Sequence, residues 1–425
     1  MKFKIKIPRL QDILLIYYFS LPFFRMYVFS KFSGGYKIAL LILILLIAVT
    51  MMKNVNFLSK YKDIILYFSV IVILFGVQFL IHPYTRVWIK RSFGVYTALL
   101  IGCGIFAYPV IRLQDDILKM VKGLKISALL VGAMYAIMSI ERIRRGYWTY
   151  TSFGVVTHTV SNMSWSYGVL FVVCVCAYML IIEKKKYMAF PVAAGLVGIL
   201  LYGSRGTIIS FAIGVVLTLF FLDNKKRDYR KIILIISAAI VVMFIFSDTG
   251  TKLISDVVTK LGWENSRFIK TFLKTTQGDS SIADESSGRD RIWKLVIQLI
   301  KDKPLGYGVM GHREYIYNIH IKWGYSHNIF LDILAESGVI IGSIVILLGF
   351  VGIARYLLKV ENKTEKFIFI MFITVSCELL LSGYIWIHYG IWSILAIYMN
   401  HFVFKWNDDN KIKKQIQSII KGAKK

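Results

Sequence analysis

Long apolar blocks recur along almost the whole chain and constrain its fold more than any other feature. They are 16 to 27 residues long, and about 20 apolar residues are needed to cross the roughly 30 Å hydrocarbon layer of a membrane. Hydrophobic residues make up 57% of the 425 residues, and the mean hydropathy is +0.62. The sequence therefore predicts an all-α integral membrane protein.

The apolar pattern predicts about twelve transmembrane helices, which are 12–30, 37–52, 63–81, 93–111, 124–140, 164–182, 187–203, 206–222, 231–247, 328–354, 366–383 and 385–403. The first lacks a small-residue cleavage site, so we interpret it as a retained span rather than a signal peptide. This pattern divides the chain into helices one to nine (1–247), a large outer loop (248–326), helices ten to twelve (327–403) and a basic cytoplasmic tail (404–425).

The net charge is +28, which in a soluble protein would suggest a nucleic-acid partner. Here Lys and Arg are concentrated in the segments that alternate to one side of the predicted membrane. By the positive-inside rule, this side is the cytoplasm and both termini lie there. We therefore interpret the excess charge as a signal of topology and expect the bilayer, not nucleic acid, as the partner.

The loop 248–326 is the one long break between the predicted spans, and span parity places it on the outer face. Loops of this length usually have a function. It contains 12 Lys and Arg residues, so its excess of positive charge suggests an anionic ligand on the outside, where nucleotide-sugars and ATP are absent.

Within this loop, "SSGRDRIWKLVIQLIKDKPLGYG" predicts one amphipathic helix, capped by Ser286 or Ser287 and ended before Pro304. Its apolar stripe should lie on the membrane surface or against the helix bundle. Arg289 falls at the helix N-terminus, where free N–H groups already favour an anion. This position suits a phosphate ligand, although a solvated surface arginine is the simpler interpretation.

A second arginine occupies the tight turn "GSRG" between two predicted spans. An ionisable residue at this depth is costly, so Arg205 is a candidate for a functional site. Gly203 and Gly206 on either side would let a ligand or another backbone approach closely. The alternative is an arginine that extends to the interface and only marks it.

His327 stands directly before the predicted span 328–354. A helix N-terminus disfavours imidazolium, so the ring should stay neutral and could serve as a general base; a purely structural histidine is the alternative. If the helix included His327, Asp332 and Glu336 would lie about 140° and 180° away from it. We therefore expect no nucleophilic triad, and instead a polar stripe of Asn328, Asp332 and Glu336 that contacts neighbouring helices.

The sequence offers no metal or cofactor motif. The outer acidic residues are scattered, with no His pair at ligand spacing, and no phosphate-binding or dinucleotide fingerprint exists. The four cysteines all fall within predicted spans. Glu378, inside the eleventh span, is either a proton-relay residue or a polar contact between helices, and we favour the contact.

Three motifs resemble those of the bacterial O-antigen ligase and polysaccharide polymerase superfamily. They are "GSRG" between two spans, "SGRDRIW…KDKPLGYGV" in the outer loop, and "SHNIFLDILAESGVIIG" at the start of the next span. The last is the most specific. Twelve spans with the main loop between the ninth and tenth also agree. The motifs cover roughly 200–345, and the rest of the chain agrees by hydropathy alone.

The resemblance implies a membrane glycosyltransferase of the GT-C type that moves a glycan from undecaprenyl diphosphate to an acceptor sugar hydroxyl, without metal or other cofactor. By position in the motifs, Arg205 and Arg289 would hold the donor diphosphate, and His327 would be the base. Secondary candidates are Arg291, Arg313 and Asn328. The expected location is the bacterial inner membrane, with the active site on the outer face.

The motifs leave the acceptor open. The compact third motif looks more like a polymerase, which extends a lipid-linked repeat unit and would have a chain-length regulator as a further partner. A ligase that transfers the glycan to lipid A-core is the first alternative, and protein glycosylation is another. A transporter or flippase for a lipid-linked or anionic solute is the alternative from a different class, although the spans show no obvious inverted repeat.

Overall fold

The computed structural model describes residues 9–31, 34–53, 55–90, 104–145, 147–152, 155–159, 163–202, 205–222, 256, 260, 289–320 and 324–404. Helices dominate these residues. The helices are α1 Leu10–Phe19, α2 Leu21–Tyr27, α3 Gly35–Met52, α4 Phe57–Lys60, α5 Lys62–Ile81, α6 Pro83–Lys90, α7 Ala107–Arg112, α8 Ile117–Arg145, α9 Met163–Ile181, α10 Ala189–Tyr202, α11 Arg205–Phe221, α12 Arg289–Asp302, α13 Gly311–His320, α14 Ile329–Ser337, α15 Val339–Lys359, α16 Lys363–Ser376 and α17 Tyr389–Phe402.

Three of the described helices, α5, α8 and α15, are long and apolar enough to cross a membrane. Shorter apolar helices, α1, α3, α9, α10 and α11, lie at other predicted spans. The predicted span 231–247 and most of 93–111 lie outside the described residues. The total of twelve spans therefore stays a prediction.

Two predicted spans are interrupted. The span 12–30 is divided at Ser20 into α1 and α2. The span 328–354 is divided at Gly338 into α14 and α15, because Gly338 adopts a φ of +80°. A Cβ at this position would lie 2.6 Å from the carbonyl oxygen of Pro304. The glycine therefore lets the backbone at Pro304 pack closely against the break. Hydropathy alone did not show either break.

The prediction of an all-α fold is confirmed for the described residues, to which one short β-ribbon is added. Strands β1 (Trp148–Ser152) and β2 (Val155–Thr159) form an antiparallel ribbon in which Trp148 pairs with Thr159. The sequence of the ribbon is rich in Thr, Val and aromatic residues, which favour strands. The interpretation by hydropathy treated it only as a loop between two spans.

The main core lies between the apolar helices. α1 packs against α8, α9 packs against α8 and α10, and α16 packs against α11 and α17. Aromatic rings join these layers: Phe19 stacks on Phe171 at 5.8 Å and lies 5.7 Å from Phe372. This core positions α16 and α17. The turn that connects them adjoins the candidate site that is described below.

A second, smaller unit consists of α12, α13 and α14, which pack together through buried Val296, Ile316 and Ala335. The predicted outer-loop helix is confirmed as α12, and its apolar stripe is buried at Val296 and Leu299. The predicted capping serines lie outside the described residues. α13 also packs on α6, so this unit is fixed to the rest of the protein from two sides.

Candidate functional site

The segment Pro304–Gly308 after α12 interlocks with the break between α14 and α15. Tyr307 N–H donates to the Ala335 carbonyl at 2.8 Å, and Val339 N–H donates to the Pro304 carbonyl at 2.8 Å. Gly306 has a φ of +90°, and a Cβ there would lie 2.5 Å from the Glu336 carbonyl oxygen. The motifs "KDKPLGYG" and "AESG" therefore require glycine because two backbones touch where they meet.

His327 lies outside the helix, directly before the N-cap of α14. Its φ is +59°, a left-handed conformation that costs a non-glycine residue about 1–2 kcal/mol. The ring is half-buried and lies 4.2 Å from the Tyr325 ring. Such local strain is typical of functional sites.

A hydrogen bond joins α12 to the segment 324–328, which precedes α14 and is called the histidine loop below. Trp293 on α12 donates its Nε1–H to the Ser326 carbonyl at 2.9 Å, which fixes the residue next to His327. Arg289 lies one turn before Trp293, at the start of α12, and is partly buried. The "RDRIW" and "SHN" motifs, more than thirty residues apart in the sequence, thus meet at one place.

The imidazole of His327 is held in its neutral form. Burial, and then the positive charge of Arg289, lower the pKa of His327 to about 4, although the charge of Asp332 acts in the opposite direction. A neutral ring is what the sequence predicted, but the main cause is burial rather than the helix N-terminus. The effect of Arg289 shows that its charge lies within electrostatic range of the ring.

Asp332 is buried and anchored next to His327. Its Oδ1 accepts hydrogen bonds from His312 Nε2 at 2.8 Å and from the Ser326 backbone N–H at 3.1 Å. The helical-wheel argument that separated Asp332 from His327 fails, because His327 does not belong to the helix. The expected polar contact between helices is confirmed by the bond from α13 to α14.

Glu336 continues this buried network one turn further along α14. Its carboxylate accepts hydrogen bonds from the Met310 backbone N–H at 3.0 Å, from Trp386 Nε1 at 3.1 Å, and from the Tyr384 hydroxyl. Burial raises the pKa of Glu336 to about 7. Glu336 therefore ties α14 to the turn between α16 and α17.

Arg313 supports the histidine loop through buried contacts. Its side chain is buried, its Nε donates to the Gly324 carbonyl at 2.8 Å, and its guanidinium lies 4.7 Å from the Trp88 ring and 4.4 Å from the Tyr384 ring. Burial lowers the pKa of Arg313 to about 10, so it stays charged near neutral pH. This enclosure favours a structural role over donor binding.

The other predicted residues occupy different settings. Asn328 is the N-cap of α14, since its side chain accepts hydrogen bonds from two N–H groups of the first turn. Arg291 is exposed on α12. Arg205 is the first residue of α11, and the structure describes its backbone.

The start of α11 lies near the candidate site. A Cβ at Gly206 would be 3.3 Å from the Leu381 side chain, and the next residue, Ser382, acts on the Tyr325 hydroxyl and partly offsets the rise in its pKa that burial causes. The structure thus places Arg289 within electrostatic range of His327 and places the helix that Arg205 begins against Leu381.

The sequence interpretation missed the pair of His312 and Asp332. His312 follows the "GYGVMG" segment directly and precedes Arg313, so its position beside a glycine-rich turn was the available signal. Glu378 lies 3.4 Å from His388 Nε2, which agrees with the polar contact that we favoured. Among the described His, Cys, Asp and Glu residues, no group of three is placed to hold a metal ion.

A large cavity lies elsewhere in the protein. It has a volume of about 1410 Å³ between α8, α9 and α10, and most of its lining residues are apolar. No candidate site residue lines it. The candidate site therefore centres on Arg289 and His327, where a positive charge acts on a neutral imidazole.

Comparison with known protein families gives one match. Residues 190–347 match the family model described as O-antigen ligase, and this confirms the resemblance that the motifs indicated. The matched segment extends from α10 into α15 and contains Arg205, Arg289 and His327. No curated protein matches the chain, and no solved structure matches it.

Proposed function

Because residues 190–347 match the O-antigen ligase family, we propose that this chain is a polysaccharide polymerase that uses a lipid-linked donor. The family match supports glycosyl transfer of the ligase or polymerase type. In our proposal the donor is a glycan on undecaprenyl diphosphate, the acceptor is a sugar hydroxyl of a lipid-linked repeat unit, and the protein is a GT-C glycosyltransferase of the bacterial inner membrane.

One observation carries this proposal: the charge of Arg289 acts on a neutral His327, and a hydrogen bond from Trp293 to Ser326 joins the helix of Arg289 to the loop of His327. A diphosphate leaving group needs positive charge where its negative charge develops. Arginine suits this task because its planar fork binds phosphate oxygens in a bidentate manner. An acceptor hydroxyl needs a base that is not already protonated.

The proposed reaction is a single displacement. The acceptor hydroxyl oxygen attacks the anomeric carbon of the donor sugar and gives its proton to His327. The bond between the anomeric carbon and the diphosphate oxygen breaks, and undecaprenyl diphosphate leaves with the electron pair. Arg289, together with Arg205, stabilises the departing diphosphate. Attack from the opposite side inverts the anomeric centre.

The family description itself favours a second candidate. Since the matched family is described as O-antigen ligase, transfer of the glycan to lipid A-core is the alternative within the same chemistry. The donor site would be unchanged, and only the acceptor would differ. A transporter or flippase would move the lipid-linked glycan without forming a new glycosidic bond.

The test is incubation of the purified protein in nanodiscs with a lipid-linked repeat unit, with lipid A-core present or absent. A ladder of products from the repeat unit alone supports the polymerase. Product that forms only with lipid A-core establishes the ligase instead, and translocation without product would overturn glycosyl transfer. Each reaction is repeated in EDTA, and we expect turnover to persist there.

A further inference from the structure

The two carboxylate oxygens of Asp332 differ in their hydrogen bonding. Its side chain is 1% exposed, and Oδ1 accepts both hydrogen bonds, from His312 and from the Ser326 backbone. Oδ2 is buried and has no hydrogen-bond partner among the described residues. Buried carboxylate oxygens are costly when unsatisfied and normally have a partner. This oxygen is therefore available for a donor that arrives later.

His327 also has a buried ring nitrogen that no described residue satisfies. Its Nδ1 is buried and also has no hydrogen-bond partner among the described residues. The residue before it, Ser326, is bonded to Asp332 at 3.1 Å, so the carboxylate lies beside the backbone that carries the ring. The charge of Asp332 also acts directly on His327.

We propose that Asp332 is the positioning residue of His327: when substrate binds, its Oδ2 accepts the Nδ1–H of the ring. This proposal rests on the proposed function. The pairing fixes the tautomer whose Nε2 carries no proton, so Nε2 faces the acceptor hydroxyl as the base. After transfer the proton resides on Nε2, and the resulting imidazolium is stabilised by the Asp332 carboxylate.

His312 completes the arrangement from α13. It is fully buried and holds Oδ1 of Asp332 at 2.8 Å, which leaves Oδ2 to point elsewhere. In this role His312 orients the carboxylate, and the carboxylate orients the base. The base and its orienting group are thus held in place by two different short helices, α13 and α14.

Several charged and titratable groups surround His327. Arg289 from α12 opposes its protonation, Asp332 from α14 favours it, and the Tyr325 hydroxyl belongs to the same loop. Behind Asp332 lie His312, Arg313 and Glu336. Since Asp332 is the one group here whose charge raises the pKa of His327, its neutralisation must lower that pKa further.

The experiment compares the pH dependence of kcat in the wild type and in Asp332→Asn. The amide can donate to Nδ1 and so favours the wrong tautomer; we expect kcat to fall by roughly 10²–10⁴-fold. The acid limb of the profile should also move to lower pH. Asp332→Glu, which keeps the charge, should retain the wild-type acid limb at a reduced rate.

A matched control is Glu365→Gln. Glu365 is also a fully buried carboxylate bonded to a histidine, with 2.7 Å between its Oε1 and His401 Nδ1, but it lies at the start of α16. The acid limb of the kcat profile of the Glu365→Gln enzyme should match that of the wild type. An Asp332→Asn enzyme with an unshifted acid limb, whatever its rate, overturns the proposal and leaves Asp332 a structural residue.

A second readout does not depend on turnover. Diethyl pyrocarbonate modifies neutral imidazole, and mass spectrometry of the peptide containing His327 gives the pH midpoint of its reactivity. The midpoint should fall in Asp332→Asn. If this variant does not fold, Asp332→Ser, which also removes the charge, should lower the midpoint, and an unchanged midpoint there refutes the pairing. A wild type with the expected midpoint but no product would refute the proposed function alone.

Discussion

Replacement of Trp293 by Phe tests whether the hydrogen bond that joins the "RDRIW" and "SHN" motifs matters for catalysis. The change keeps an aromatic ring on α12 and removes one donor, the Nε1–H that binds the Ser326 carbonyl at 2.9 Å. A hydrogen bond of this kind contributes about 0.5–1.5 kcal/mol net, and a carbonyl left unsatisfied raises the cost to about 1–3 kcal/mol. We therefore expect a modest loss of stability.

The kinetic effect should be larger than the loss of stability implies. Ser326 directly precedes His327 in the chain. Loss of the hydrogen bond from Trp293 to Ser326 should therefore let His327 move relative to Arg289. A misplacement of about 1 Å can reduce a rate by roughly 10²-fold. We expect kcat to fall by about 10- to 100-fold, while the KM for the donor changes little because Arg289 remains on α12.

The assay measures product from a lipid-linked repeat unit in nanodiscs, together with the melting temperature of each variant. Trp392→Phe is the control, because Trp392 Nε1 donates to the Ile385 carbonyl at the same 2.9 Å, away from His327. Both variants should lose similar stability, but only Trp293→Phe should lose most of its kcat. Equal kcat values in the two variants would refute the view that this bond positions the base.

The remaining predictions concern charge, pH and topology. Arg289→Ala should abolish turnover in the product assay, whereas Arg291→Ala, which changes an exposed residue of the same helix, should retain most of it; equal losses would show that only bulk charge matters. His327→Ala should lower kcat by roughly 10²–10⁴-fold with donor affinity kept in a binding assay. Because the folded pKa of His327 is about 4 and lies below the ordinary value, the unfolded chain binds more protons between about pH 6.5 and 4. The contribution of His327 to stability should therefore be lost as the pH falls through that window, as thermal unfolding at a series of pH values will show, and His327→Ala should flatten the profile. Reporters fused after residue 60, 185, 228 or 410 should report cytoplasm and after residue 280 the outside; an inner location for 280 would contradict the proposed site.

Local features of the site could be predicted from the sequence. The amphipathic period, together with Pro304, predicted the helix that the structure has as α12, with Arg289 at its first residue. The apolar run 328–354 predicted a membrane-spanning helix, and its larger part lies in α15, which has that length and composition. Each of these predictions rests on residues within a few turns of one another, where periodicity and capping act directly.

Relations between distant segments could not be predicted in this way. His312 and Asp332 are 20 residues apart and meet because α13 and α14 pack together. The break at Gly338 serves the docking of Pro304, more than thirty residues earlier. A hydropathy profile averages over both features, since neither changes the apolar content of the segment.

The neutral state of His327 has a main cause that the sequence argument did not include. The sequence argument made the ring neutral through the helix N-terminus, an effect of partial charges that fades within one turn. In the structure, burial and Arg289 do so more strongly and bring the pKa of His327 to about 4. A base with so low a pKa is always available near neutral pH, but it holds a proton weakly and is a poor acceptor for the proton of a sugar hydroxyl.

In the proposed mechanism, the cation that binds the diphosphate therefore also weakens the base, because it lowers the pKa of His327. A site with Arg289 close to His327 requires a compensating negative charge that acts when the imidazolium forms. Among the described groups that act on the ring, Asp332 is the one whose charge opposes burial and Arg289, and it is held by His312 and the Ser326 backbone. In the proposed reaction, the negative charge that develops on the departing diphosphate offsets the charge of Arg289, so the pKa of His327 should rise as the proton is transferred.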